Sequence, residues 1–128
     1  MELNEYQKRA MTTCLPSSNN FSYMFLNLVG EVGELASKIA KHIRKDKASI
    51  ESNELVPFKP VDEYVTHNKM ITKDEYDELE KEAGDILWQL SGLCTVMEWN
   101  LEDVAQQNLD KLHSRQDRGV IDGVGDNR

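Results

Sequence analysis

Two pairs of acidic residues, each with members three positions apart, are the side chains in this sequence best suited to chemistry. Glu31 and Glu34 form the first pair, and Glu82 and Asp85 form the second. Residues three apart share one face of an α-helix, so each pair would direct two carboxylates toward one point. Four neighbouring carboxylates repel one another unless a multivalent cation lies between them. Because all four offer oxygen ligands, they favour a hard cation, Mg²⁺ or alternatively Mn²⁺.

The apolar residues around each pair support this interpretation. An α-helix advances by about 100° per residue, and on that count both pairs lie on the same flank of an apolar stripe. We expect these stripes to form the core, with Glu31 and Glu82 half-buried at its edge and the second acid of each pair further out. A single pair of this kind is usually solvated surface, but two pairs at matching phase favour a shared site. The stripes contain Phe21, Phe25, Leu28, Val32, Leu35, Ala36, Ile39 and Ile43, and Leu79, Ala83, Ile86, Leu90, Leu93 and Met97.

The apolar spacing along the whole chain predicts four helices, over residues 3–14, 21–46, 72–99 and 100–118. The helix boundaries carry capping and stop signals: Pro16 after the first helix, a capping box that starts at Thr72, an N-cap at Asn100 and a stop at Gly119. Between the second and third helices the periodicity fails, which predicts a loop insertion at about 47–71.

We therefore predict an all-α fold, a four-helix-type bundle in a single domain over residues 1–119. Within the insertion we expect a short extended piece around 63–65, and residues 120–128 should form a flexible tail. Because the apolar stripes are broad and two helices are long, we also expect assembly into a homodimer or homotetramer.

The composition excludes several classes of function. The formal net charge of −8 disfavours nucleic acid as a partner, although a metal ion can still attract a nucleotide. No apolar run reaches the length of a membrane span, and the acidic N-terminus lacks the apolar segment of a signal peptide. Cys14 and Cys94 lie in apolar contexts and are expected to be buried, reduced thiols of a cytoplasmic protein.

A basic cluster closes the second predicted helix. Cations suit the negative end of the helix dipole, which is the commoner explanation for such a cluster. The alternative is an electropositive rim for a polyphosphate. The cluster consists of Lys41, His42, Arg44, Lys45 and Lys47.

Three segments resemble the MazG-like all-α nucleoside triphosphate pyrophosphohydrolases. They are GEVGELA at 30–36, EAGDILW at 82–88 and NLDKLHSR at 108–115. The resemblance implies a helical, oligomeric fold and Mg²⁺-dependent hydrolysis of a canonical or non-canonical nucleoside triphosphate to the monophosphate and pyrophosphate. The sequence departs from the family pattern in two respects. Gly30 replaces the first acid of the first motif, and the spacer between the two acidic motifs is long.

The resemblance also implies roles for individual residues. Glu31, Glu34, Glu82 and Asp85 match the metal ligands of the family, Lys111 and Arg115 match positions that meet phosphate, and Asn108 matches a polar position near the nucleotide.

The residues themselves leave further roles open. Either Glu34 or Glu82 could orient or deprotonate the attacking water. Lys38, one turn after Glu34, could contact phosphate or simply pair with Glu34 on the surface. Trp88 could stack on the base or belong to the core.

Other functions fit the sequence less well. A base-specific relative acting on dUTP, dCTP or phosphoribosyl-ATP would share the acidic pairs. A di-iron bundle would need Glu-x-x-His motifs, which the sequence lacks. A catalytically inactive helical interaction module is favoured by Gly30 and the long insertion, but not by Lys111 and Arg115.

Overall fold

The computed structural model describes residues 1–56 and 71–126. These residues are mostly helical, which confirms the predicted all-α class. The α-helices are α1 (Leu3–Met11), α2 (Phe21–Arg44), α3 (Lys73–Val96) and α4 (Leu101–Asp117), and a short 3₁₀ helix covers Pro16–Ser18. Two short strands, β1 (Ser49–Glu51) and β2 (Glu54–Val56), lie between α2 and α3. In the described part of the chain, no helix combines the length and apolarity needed to cross a membrane.

The chain forms two compact units. One unit contains Met1–Phe21 together with the chain from Ser91 onward, and the other is built from Ser22–Leu90. The second unit carries both acidic pairs, and the first carries α1, α4 and the last turns of α3. The order of the helices therefore places the carboxylates and Asn108, Lys111 and Arg115 in different units.

In the first unit, Gln7 joins α1 to the turn before α4. Its side-chain amide donates to the Thr95 hydroxyl at 3.1 Å and the Trp99 carbonyl at 3.0 Å, and its carbonyl oxygen accepts from the Leu101 amide at 2.8 Å. The Asn100 side chain caps α4, as predicted, by accepting hydrogen bonds from the backbone amides of Glu102 and Asp103. These bonds satisfy N–H groups that a helix start leaves without partners.

The end of α4 and the two cysteines also lie in this unit. Gly119 has a φ of +70°, the left-handed conformation that ends a helix without the steric cost of a side chain. Cys14 and Cys94 are free thiols, as predicted, but only Cys94 is buried, and Cys14 is half-buried. Burial raises the pKa of Cys94.

In the second unit, the N-terminal part of α3 packs against α2 around Met24, Leu79 and Gln89, which are buried. The predicted capping box is present. The Thr72 hydroxyl accepts from the Glu75 amide at 3.1 Å, and the Glu75 carboxylate accepts from the Thr72 amide at 3.2 Å. This reciprocal pair fixes where α3 begins.

The predicted core stripe of α2 needs correction. Phe25 and Val32 are 46% and 50% exposed, whereas Met24 is fully buried and Glu31 and His42 are largely covered. By the helical phase, the buried face is rotated by roughly 60° from the stripe toward the acidic flank. The polar residues of that flank make the contacts to α3. The acids therefore face the neighbouring helix and do not lie at the edge of the buried face, where the sequence predicted them.

The predicted loop at 47–71 also needs correction, because it begins with a β-hairpin. Strand β1 pairs with β2 in antiparallel register, with Ile50 opposite Leu55. Ser52 and Asn53 both have positive φ, at 51° and 65°, which is the geometry of a tight two-residue hairpin turn. The extended piece expected at 63–65 lies outside the described residues.

Candidate metal centre

Helices α2 and α3 bring three of the four predicted ligands together. Glu31, Glu34 and Glu82 each offer a carboxylate oxygen, and these oxygens all lie within 4.8 Å of one another. The i, i+3 spacing aims Glu31 and Glu34 at the same point, and Glu82 meets them from the opposite helix. Glu31 is half-buried and Glu34 is exposed, as expected from the phase, whereas Glu82 was expected to be half-buried and is buried.

Two oxygens of this cluster lack the partners that buried polar atoms normally have. Among the described residues, one carboxylate oxygen of Glu31 and one of Glu82 are buried without a hydrogen-bond partner. Burial raises the pKa of Glu31, and the charges of Glu34 and Asp85 raise it further. Buried acceptors are costly unless they are satisfied, so the site has an unmet demand for a cation or a donor.

An amide network holds Glu31 from behind. The Asn27 side-chain amide donates to a Glu31 oxygen at 3.2 Å and to the Gln89 carbonyl oxygen at 2.9 Å. Gln89 is buried, and its amide group contacts the Met24 carbonyl and sulfur at 3.5 and 3.3 Å. Gln89 thus fixes Asn27, and Asn27 orients the Glu31 carboxylate, as outer-shell groups do at metal sites.

The sequence reasoning missed this network. The signal was present, because Asn27 precedes Glu31 by four residues and Gln89 follows Asp85 by four, so both continue the acidic faces.

Lys38 makes a different ion pair from the one expected. Its ammonium group contacts Glu82 on the opposite helix, not Glu34 one turn away on its own helix. This hydrogen bond raises the pKa of Lys38. The lysine reaches across because the flank that carries Glu34 and Lys38 is packed against α3. A single lysine thus supplies part of the positive charge that the carboxylate cluster needs.

The other predicted residues of this unit lie beside the cluster. Asp85 is exposed and is not one of the three converging carboxylates, although its charge acts on Glu31. Trp88 is half-buried, one turn beyond Asp85 on α3. The roles of Asp85 as fourth ligand and of Trp88 as a stacking group stay predictions.

In the other unit, Lys111 and Arg115 both bind Asp126. The distances from the lysine ammonium and the arginine guanidinium to the Asp126 carboxylate are 3.2 and 2.9 Å. Hydrogen bonds from Arg115 and Lys111 lower the pKa of Asp126. Arg115 is buried, whereas Asn108 is exposed. The two basic residues predicted to meet phosphate are therefore one helical turn apart on α4 and already share an anion.

A basic pocket lies farther along α2, with a volume of about 220 Å³. Lysines from the last turns of α2 and acids from the first turns of α3 form its wall. Its lining residues are Lys38, Lys41, His42, Lys45, Glu75, Glu78 and Leu79. Lys38 belongs to the wall of this pocket and contacts Glu82, so the pocket and the carboxylate cluster are adjacent.

The donor set of the cluster fits a hard divalent cation. Three carboxylates supply oxygen only, two of their buried oxygens have no described partner, and the cluster already attracts a lysine ammonium. A divalent cation placed among them would offset the repulsion and satisfy both oxygens, which water alone does less well. No described His or Cys side chain belongs to the cluster, so zinc is disfavoured.

The comparisons with known proteins agree with this geometry. The model of the MazG nucleotide pyrophosphohydrolase domain matches residues 19–120, which is most of the chain and includes both acidic pairs. The chain belongs to the MazG family. It is also 36% identical over 135 residues to the gene 37 protein of Mycobacterium phage L5, and the match covers the full length of both chains. No solved structure matches.

Membership of the MazG family confirms the predicted resemblance and extends beyond the three motifs that suggested it. The matched range includes α2, α3 and α4, and therefore Asn108, Lys111 and Arg115 as well as the carboxylates. Gly30, which departs from the family pattern, is exposed on α2, and its nearest side chain is that of Asn27. Loss of an acid at this position leaves the three converging carboxylates in place.

Proposed function

We propose that this protein hydrolyses a nucleoside triphosphate, canonical or non-canonical, to the nucleoside monophosphate and pyrophosphate, with Mg²⁺ as cofactor and Mn²⁺ as an alternative. The observation that carries the proposal is the carboxylate cluster of Glu31, Glu34 and Glu82, with its two buried oxygens that have no described partner. Glu31, Glu34 and Glu82 would hold the cation, and Asp85 is the fourth ligand proposed. When bound, the cation would neutralise phosphate charge and acidify a water molecule.

The different burial of the carboxylates indicates different roles for them in the proposed reaction. Glu82 is buried and one of its oxygens is occupied by the Lys38 ammonium, so its role is to hold charge in place. Glu34 is exposed, so water can reach it. We assign Glu34 the orientation and deprotonation of the attacking water, and we retain Glu82 as the second candidate for that step.

Phosphate recognition falls to the basic residues. Lys38 lies beside the cluster and would contact a phosphate oxygen once its ion pair with Glu82 is exchanged. Lys111 and Arg115, which hold an aspartate carboxylate in the structure, are suited to a phosphate for the same reason. Asn108 and Trp88 are proposed to contact the nucleoside, the first by hydrogen bonds and the second by stacking.

We also infer that the protein is a homodimer or homotetramer. The apolar side chains of Phe25, Leu26, Val29 and Val32 form an exposed face of α2, each between 46% and 68% exposed. An apolar face of this kind is covered by a second copy in many helical proteins. Sedimentation equilibrium at micromolar concentration should give a mass at least twice that of the chain.

The test is a nucleotide panel. Purified protein is incubated with canonical, deoxy and damaged triphosphates, with dUTP and dCTP, and with phosphoribosyl-ATP, in Mg²⁺, in Mn²⁺ and in EDTA. At least one substrate should release pyrophosphate and not orthophosphate, and EDTA should stop the release. Glu34→Gln should reduce turnover by about 10²-fold or more, while Glu80→Gln, an exposed acid of α3 outside the cluster, should not. Absence of pyrophosphate release across the panel would favour an inactive interaction module.

A further inference from the structure

The basic pocket at the end of α2 is lined by charged side chains, and only some of them have ion-pair partners. Its acidic lining residues, Glu75 and Glu78, already have lysine partners that are not part of the lining. Lys47 binds Glu75 at 2.7 Å, and Lys81 binds Glu78 at 2.8 Å. Glu75 also lies 3.5 Å from the His42 side chain, which lines the pocket. The carboxylates of the wall therefore have partners other than Lys41 and Lys45.

Two of the basic lining residues, Lys41 and Lys45, are not compensated in the same way. Lys38 is paired with Glu82, but Lys41 and Lys45 have no ion pair with any residue in 1–56 or 71–126. They follow Lys38 by three and seven residues, and the backbone amide of Lys45, just after α2, still bonds to the Lys41 carbonyl, so all three lysines occupy one helix face. Two unpaired ammonium groups on one wall make the pocket a place for an anion.

The position of the pocket indicates which anion. Glu34, Lys38 and Lys41 follow one another at successive turns of the same face of α2, and Glu34 and Lys41 are about 10 Å apart along the helix axis at 1.5 Å per residue. A polyphosphate held at the carboxylate cluster would have its far phosphates beside Lys38 and Lys41. The dipole of α2 explains why cations gather at its end, but it does not explain why they line a cavity next to the cluster.

We propose that Lys41 and Lys45, with Lys38 at the inner edge, form a subsite for the pyrophosphate portion of the substrate, and hence for the pyrophosphate product. The proposal rests on the proposed function for the direction of the substrate, but the pocket's affinity for pyrophosphate is a separate property. Lysine suits this role because its ammonium is a compact charge on a flexible stem and contacts phosphate without a fixed fork geometry.

The experiment compares two double variants of the full chain. Lys41→Gln/Lys45→Gln removes the two unpaired charges of the pocket. Lys8→Gln/Lys73→Gln is the control for net charge, because it makes the same charge change at two exposed lysines outside the pocket, of which Lys73 has an exposed ion pair with Asp77. Circular dichroism establishes that each variant is folded before any binding measurement.

Binding is first measured without turnover. Inorganic pyrophosphate is titrated into each protein in EDTA at constant ionic strength, by calorimetry and by the shift in Tm. Wild type and control should bind pyrophosphate, and the pocket variant should bind about tenfold more weakly, a loss equivalent to about 1.4 kcal/mol. Equal affinity in all three proteins would overturn the proposal.

Turnover then tests the same subsite in the reaction. With a substrate found in the panel, the pocket variant should raise KM and the inhibition constant of pyrophosphate about tenfold, while kcat changes less than twofold. Identical values of KM and of the inhibition constant in the pocket variant and the control would refute the subsite and leave the hydrolase standing. Selective pyrophosphate binding by a protein that hydrolyses no nucleotide would support the subsite and refute the proposed hydrolysis.

Discussion

Replacing Glu31 by Gln should stabilise the metal-free protein and remove its response to Mg²⁺. Glutamine keeps a carbonyl oxygen that can accept the hydrogen bond from Asn27, so the substitution removes charge with little change of shape. In the metal-free protein, that charge is repelled by Glu34 and Asp85 and is partly withdrawn from water. The same charge is an attractive ligand once a cation is present.

The magnitude follows from the geometry of the cluster. Two unit charges at 4.8 Å, the outer limit of the separations in the cluster, repel by about 3.5 kcal/mol at an effective dielectric constant of about 20. Solvent around Glu34 and the Lys38 ammonium screen much of this repulsion, which leaves about 1–2 kcal/mol to be relieved. For a domain of this size, that free energy corresponds to a rise in Tm of about 3–10 °C.

Binding of Mg²⁺ should reverse the order of the two Tm values, so that wild type melts at a higher temperature than Glu31→Gln. At about 100 times the dissociation constant, a ligand stabilises the folded state by about 2.7 kcal/mol. Wild type should gain this stabilisation, and Glu31→Gln should gain less than about a third of it, because it has lost a ligand. Thermal melts followed by circular dichroism, in EDTA and in about 10 mM Mg²⁺ at equal ionic strength, measure both effects.

Glu80→Gln is the control, because it makes the same charge change on an exposed turn of α3 and should move Tm little under either condition. The expected result also depends on pH. The pKa of Glu31 is raised above its ordinary value of 4.5, so its destabilising effect is present above the raised pKa and fades as the pH falls through it. The advantage of Glu31→Gln in EDTA should shrink accordingly. A metal-free variant that melts below wild type, or that keeps the full Mg²⁺ response, would show that the three acids are not a strained cation site.

Two further substitutions test two ion pairs of the same unit, Lys38 with Glu82 and Lys47 with Glu75. Lys38→Met should lower the metal-free Tm and enlarge the rise caused by Mg²⁺, because it removes the ammonium that competes for Glu82; a smaller Mg²⁺ effect would contradict this competition. Lys47→Met should destabilise the protein by about 1 kcal/mol at neutral pH. Burial alone would raise the pKa of Glu75, but hydrogen bonds from Lys47 and Thr72 outweigh it and the pKa is lowered. That stabilisation is present above pH 4.5 and is lost as the pH falls through the lowered pKa, so urea midpoints of variant and wild type should converge in acid.

The helices could be predicted from the sequence because their signals are local. The capping box at Thr72, the N-cap at Asn100 and the glycine at position 119 each act within one helical turn, and all three lie where the structure has a helix boundary. The hairpin was missed because its signal is weaker. Ser52 and Asn53 adopt positive φ without the glycine that usually marks such a turn.

The face of α2 that packs against α3 could not be predicted, because apolar periodicity does not show which neighbour covers each side chain. Phe25 and Val32 of the strongest apolar stripe are exposed in the single chain, whereas Leu28, Leu35 and Ile39 of the same stripe are half-buried. The face that contacts α3 is the polar one, with Asn27, Glu31 and Lys38. The convergence of the acids was nevertheless predictable, because it depends on their spacing and on the shared phase of the two helices, and not on which stripe is buried.

The partner of Lys38 shows why this polar contact serves function better than stability. A fold that needed only to join α2 and α3 would place apolar side chains at their contact, since a buried ion pair seldom exceeds well-packed apolar residues in stability. Instead, three acids converge and a single lysine offsets part of their charge, while two buried oxygens have no described partner. One cation in this contact would satisfy the oxygens and free the Lys38 ammonium from Glu82, so that it could contact a phosphate in the adjacent basic pocket. In the proposed mechanism, the same residues link metal binding to phosphate binding, and the changes that Glu31→Gln and Lys38→Met make to the Mg²⁺ response should therefore be opposite in sign.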